Sequence, residues 1–325
     1  MNYCIVSTLS DVPYLLWQVE LQIFNFGEMT DRHYMQHFYV VVCSTDDSGP
    51  SQLAKQLLYL HPFPENVLFV NSKTYKKETS GYPALFKPLG LECLLRYRRQ
   101  IGLDPVNIIL LDPDVLFCND PVKILNEVSN TILQSGSWYF SNCSSYLDIT
   151  AYRKEGYTEK ELSEICNIFD CTIDLFEETK WKTGGAQYFF GHDITPEFCR
   201  RVRLKAGELH DYICTLSGDR NPWFAEMLAW HLASLSYKGR FGVEIHTNMD
   251  FLLVDSLLSD RICMVHLSGD CKKSGAFDKT LFAQAPWHTE YRHILHQQCL
   301  QINTKWAGSY YLYWLIKYMV KEKKI

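Results

Sequence analysis

The segment Ile108-Ile109-Leu110-Leu111-Asp112-Pro113-Asp114-Val115-Leu116-Phe117 places two carboxylates one residue apart at the end of an apolar run. Burying uncompensated carboxylates is costly, so such a pair needs solvent or a cation. Oxygen ligands of this kind suit Mg²⁺ or Mn²⁺, which keep open positions for phosphate oxygens. The pair also fits two other roles: a polar turn that caps a helix, or the nucleophile and acid of a haloacid-dehalogenase-like phosphatase. That phosphatase arrangement usually has Thr or Val where Leu116 stands, and a later pair of acidic metal ligands. Neither Gly218-Asp219 nor Gly269-Asp270 is followed by a suitably spaced second Asp.

Two further constellations offer chemistry. In Thr183-Gly184-Gly185-Ala186-Gln187-Tyr188, paired glycines allow a backbone to approach a ligand, and Gln187 offers both donor and acceptor to sugar hydroxyls. An ordinary turn before a strand has the same composition. In Asn221-Pro222-Trp223-Phe224-Ala225-Glu226, Asn221 reads as an N-cap with Pro222 in the first turn. Glu226 is expected beside Trp223, a carboxylate next to a flat ring that could hold a sugar. His192-Asp193, His246 and Asp250 read equally well as caps, surface residues or ligands. No P-loop and no nucleophile elbow is present.

The elements that would position these residues alternate between strand and helix. Strands are expected at Asn2–Ser7, His37–Cys43, Asn66–Asn71 and Asn107–Leu111, and helices at Pro13–Phe26, Gln52–Tyr59 and Pro83–Gln100. This alternation predicts an α/β fold, a mainly parallel sheet with helices on both faces, whose ligands sit beyond the carboxyl ends of the strands. Asp112 and Asp114 leave their strand at that end. The second half is less regular. It has expected strands at Tyr188–Phe190 and Ile262–Leu267, and helices at Thr195–His210, Pro222–Leu235, His288–Ile302 and Gly308–Lys321. The expected division is 1–140 and 141–325.

Several pieces together resemble the plant and algal hydroxyproline O-arabinosyltransferases and peptidyl-serine O-galactosyltransferases. They are Trp17-Gln18 after Pro13-Tyr14, Tyr82-Pro83 with Lys87-Pro88, Leu111-Asp112-Pro113-Asp114 with Pro121, and Met264-Val265-His266 with Phe277-Asp278-Lys279. The resemblance spans roughly residues 3–280. It implies a GT-A-type nucleotide-sugar-binding half, an acceptor-binding half, and transfer of a sugar from a UDP-sugar to a hydroxyl of a protein or glycan, with retention. It further implies that Asp112, Asp114 and His266 hold Mn²⁺ (or Mg²⁺), with Lys87 and Lys279 near the diphosphate. His266 could equally be a core histidine, and either lysine a solvated one. Gly184, Gly185 and Gln187 resemble the strand that underlies the donor sugar. A non-catalytic nucleotide-sugar-binding protein is the alternative of a different class. Those relatives usually enter the secretory pathway. This chain shows neither a signal-peptide pattern nor a long apolar run, so a cytoplasmic location is expected, as in soluble relatives from large algal viruses.

Composition is consistent with this reading. The chain has 325 residues, 47% hydrophobic and 21% charged, so it can bury a large core. The formal net charge of −5 argues against nucleic acid as the main partner. The 12 cysteines include no Cys-x-x-Cys pair, which leaves a zinc ribbon unsupported. The aromatic C-terminal run with Lys317, Lys321, Lys323 and Lys324 is expected to close the core as a helix, with weak peripheral membrane contact as the alternative.

Overall fold

A computed structural model describes residues 2–44, 48–75, 82–218, 220–239, 242–245, 251–253, 256–257, 264–267 and 277–322. Among these, a seven-stranded sheet runs in the order β3-β2-β1-β4-β7-β6-β8. Its strands are β1 (Tyr3–Ser10), β2 (Phe38–Ser44), β3 (Val67–Asn71), β4 (Asn107–Leu111), β6 (Trp138–Asn142), β7 (Gly184–Phe190) and β8 (Val243–Ile245). β1 pairs in parallel with β2 and β4, β2 with β3, and β6 with β8; only β7 runs antiparallel to both its neighbours. A smaller sheet holds β5 (Val115–Phe117), β10 (Met264–His266) and β9 (Phe251–Leu253), with β10 in the middle. The α/β fold with a mainly parallel sheet is as expected.

Every residue of β1, β2 and β4 is buried, as in a sheet covered on both faces. Successive side chains go to opposite layers. Cys4, Val6, Ile108 and Leu110 join one core with α3 (Phe86–Gln100), α9 (Pro196–Thr215) and α10 (Ala225–Lys238). Tyr3, Ile5, Ile109 and Leu111 join the other with α1 (Pro13–Met29), α2 (Gln52–Leu60) and α4 (Pro121–Ser135). Each fully buried side chain of this type contributes roughly 1.5–3 kcal/mol. The close approach of α3 needs a glycine: a Cβ on Gly90 would stand 2.9 Å from Thr8 Cγ2. That contact brings Lys87, one turn earlier, to the end of β4.

Between β6 and β7 lie four short helices, α5 (Ser144–Leu147), α6 (Ile149–Lys154), α7 (Glu159–Ile168) and α8 (Ile173–Glu178). None of these, nor β6, β8 or β9, was anticipated. α11 (Arg292–Gln301) and α12 (Ala307–Lys321) complete the chain. α12 packs on α1 through a third core containing Trp17, Leu21, Tyr311, Trp314, Leu315 and Tyr318, and the Tyr318 hydroxyl donates to Glu20. Lys317 and Lys321 both reach Glu28, at 3.1 and 2.6 Å, while Lys323 and Lys324 lie outside the described residues. No helix among the described residues is long and apolar enough to cross a membrane.

Candidate active site

β4 ends at Leu111, and the next residues turn through Asp112-Pro113-Asp114 into β5. The turn closes with Val115 N–H donating to Asp112 O at 3.3 Å. β10 runs antiparallel to β5 and sets His266 opposite Val115. Leu267 N–H donates to Asp114 O at 3.1 Å, a second tie between the two segments. The result brings three residues far apart in sequence into one cluster. His266 Nε2 lies 3.3 Å from Asp114 Oδ1 and 3.7 Å from Asp112 Oδ2. One ligand atom from each of the three lies within 4.8 Å of the other two. Two carboxylates and an imidazole suit Mn²⁺ better than an all-oxygen set would.

The other carboxylate oxygens are each held by a lysine. Lys87 Nζ lies 2.5 Å from Asp112 Oδ1, and Lys279 Nζ contacts Asp114 Oδ2. Burial opposes ionisation of Asp114, but the charges of Lys279 and His266 outweigh it and hold the carboxyl well below its usual range. Burial likewise works against the Lys87 cation, yet Asp112 and Glu226 raise its pKa above the ordinary lysine value. Lys279 is positioned by a 3₁₀ turn, Lys279–Leu281, capped by Asp278, whose Oδ1 accepts from Thr280 N–H at 2.9 Å. Both lysines therefore touch the acidic pair itself.

Glu226 is buried, with 3% of its surface exposed, at the start of α10. Lys87 Nζ stands 3.8 Å from its Oε1, and Trp230 Nε1 donates to the same oxygen at 2.5 Å. Burial pushes its pKa up to about 7, with Lys87 drawing it down and Asp112 pushing it further up. The expected pairing with Trp223 is corrected here. Residues Pro222–Phe224 form a 3₁₀ turn before α10, so Trp223 is off the helical face and 60% exposed. Trp230, four residues after Glu226, is on the same face. The Tyr82 hydroxyl joins the two segments: it accepts from Glu226 N–H at 2.9 Å and donates to Trp223 O at 2.6 Å.

β7 contributes through an irregularity. Phe140 pairs with Tyr188 and the adjacent Ser141 pairs with Gly185, so Ala186 and Gln187 bulge out of the ladder. Ala186 adopts φ +62°, unusual for a residue with a Cβ, and its carbonyl accepts from Lys87 Nζ at 3.3 Å. Gln187 is fully buried, yet neither Oε1 nor Nε2 has a hydrogen-bond partner among the described residues, a rare condition for a buried amide. Gly184 and Gly185 are also buried. A Cβ at Gly184 would stand 2.2 Å from Phe140 Cβ, so packing demands that glycine; one at Gly185 would meet Met227 Cε at 2.6 Å, the movable end of a flexible side chain.

Asp193 is a structural acceptor for Trp138 Nε1 and Lys238, at 2.8 and 2.6 Å. His246 and Asp250 lie outside the described residues.

At the level of sequence, no protein-family model and no curated protein matches the chain. Among solved structures, the chain is similar to the galactosyltransferase LgtC in complex with donor and acceptor sugar analogues. Identity there is 13% over 97% of this chain and 95% of that one, with a TM-score of 0.45. Mouse xyloside xylosyltransferase 1 in its apo form shows 10% identity over 78% and 87%, with a TM-score of 0.40. Core-mannan synthase A from Aspergillus fumigatus in its Mn/GDP form shows 9% identity over 75% and 72%, with a TM-score of 0.36.

Proposed function

We propose that the protein is a metal-dependent GT-A-type glycosyltransferase that moves a sugar from a UDP-sugar to a hydroxyl of a protein or glycan acceptor. The observation that carries this reading is the convergence of Asp112 Oδ2, Asp114 Oδ1 and His266 Nε2 at the carboxyl end of a parallel strand, where ligands of such sheets bind. A divalent cation held there would act as a Lewis acid that offsets the charge of the departing diphosphate. Lys87 and Lys279 orient the carboxylates by occupying one oxygen of each, and they add positive charge beside the same position. The unpaired amide of Gln187 has the capacity to donate to one sugar oxygen and accept from a hydroxyl. Glu226, joined to Lys87, is the second candidate for contact with sugar or acceptor. In this reading residues 1–140 supply most of the nucleotide-sugar side and 141–325 the acceptor side together with Gln187, His266 and Lys279, and the outcome is retention.

An imidazole in the ligand set favours this reading over a haloacid-dehalogenase-like phosphatase, whose metal ligands are carboxylates. A non-catalytic binder is separated from an enzyme by a panel of UDP-sugars with Mn²⁺, reading UDP release. The transferase is expected to release UDP from at least one donor and to stop when EDTA is added. No release from any donor contradicts the proposal.

A further inference from the structure

α1 is buried against the sheet along most of its length, yet three amides interrupt its apolar face: Gln18, Gln22 and Asn25, all fully buried. Their spacing of four and three residues places them in one row. Such a row needs partners, because burying an amide without hydrogen bonds costs roughly 1–3 kcal/mol. All three find partners in or beside the acidic turn, although Gln22 Oε1 has none among the described residues. Gln22 Nε2 donates to Asp112 O at 2.9 Å and to Val115 O at 2.8 Å, bridging the two ends of the turn that carries both carboxylates. With two carbonyls on that side, the amide must present its NH₂ there. Asn25 pairs with Phe117 as a strand would: Phe117 N–H donates to Oδ1 at 2.7 Å, and Nδ2 donates to Phe117 O at 3.1 Å. Gln18 Oε1 accepts from Lys279 Nζ at 3.3 Å, the lysine that holds Asp114, while its Nε2 donates to Tyr14 O.

β5 is therefore gripped along both edges. β10 holds one edge and carries His266 opposite Val115; the α1 amides hold the other. Val115 is the shared residue, bonded to Gln22 and facing His266. A shift of β5 along α1 would move both carboxylates and the register with His266 together. We infer that α1 is the jig of the metal site and that Gln22 is a positioning residue, setting the separation of Asp112, Asp114 and His266 without touching the ion. This rests on the assignment of those three residues as metal ligands. Outer partners that orient a ligand typically change metal affinity 10- to 100-fold when lost.

The test is Mn²⁺ binding by the full-length protein, followed by electron paramagnetic resonance without any sugar donor. Gln22→Met keeps the shape and removes both donors. It is expected to weaken Mn²⁺ binding about 10- to 100-fold and to alter the spectrum of the bound ion. A purely structural amide would lower the melting temperature and leave that spectrum and affinity as they are. Gln18→Met, which frees Lys279 from its second partner, is expected to weaken binding less and serves if Gln22→Met does not fold. Wild-type affinity and spectrum in whichever of these variants fold, with binding lost in Asp114→Asn, would overturn the inference alone. Wild-type protein binding Mn²⁺ no better than Asp114→Asn would instead remove the metal site and the inference with it.

Discussion

Glu226→Gln should make the protein relatively more stable as pH rises. Glu226 is 3% exposed, and burial is the largest influence on its carboxyl, which is raised from 4.5 to about 7. The folded state thus holds this proton more tightly than the unfolded chain does. The stability contributed by the protonated form is fully present below about pH 4.5 and is lost as pH rises through about 7. The gap between the two values corresponds to about 3 kcal/mol. Glutamine keeps the shape, and its Oε1 can still accept from Trp230 Nε1, but it does not ionise. Urea unfolding of both proteins at pH 5, 6, 7 and 8, in metal-free buffer, isolates the effect because every other titrating group is shared. The difference between variant and wild type should move by roughly 2 to 3 kcal/mol in favour of the variant between pH 5 and 8, part of the effect being already lost at pH 5. Parallel stability curves would refute the reasoning and place a proton or a cation elsewhere in the Lys87–Glu226 pair.

Asp112→Ala and Asp114→Ala are each expected to lower UDP release about 10²-fold or more, read as initial rates with Mn²⁺, while circular dichroism stays native. Arg203→Met should destabilise the fold by about 3 kcal/mol, because it leaves Glu92 buried with Arg96, at 3.2 Å, as its one remaining cationic partner among the described residues; the urea midpoint measures this, and an unchanged midpoint would contradict it.

The acidic pair could be picked out from the chain because its two carboxylates close an apolar run, where a structural role is least economical; His266 and both lysines were reached only through the family resemblance. Their mutual arrangement could not be read the same way: it depends on β10 pairing with β5, two three-residue strands too short to show a period. Glu226 was recognisable as a candidate, but a 3₁₀ turn in place of the first helical turn gave it Trp230 rather than Trp223 as a neighbour. Gln18, Gln22 and Asn25 were visible as amides on one face of an apolar helix, and that conflict between pattern and residue type was the unused signal. The α5–α8 region was missed because its helices are short and mixed in composition. Its clearest mark is the capping box between Thr158 and Glu161, whose reciprocal bonds are both formed. The bulge at Ala186 lies in the pairing of β6 with β7 and has no sequence mark beyond the two preceding glycines.

The most direct test of the account is a crystal structure with Mn²⁺ and UDP, with the ion located by anomalous scattering. The account predicts one peak bound by Asp112, Asp114 and His266, with the diphosphate completing its coordination beside Lys87 and Lys279. An ion bound elsewhere, or a diphosphate that meets neither the ion nor the two lysines, would contradict it.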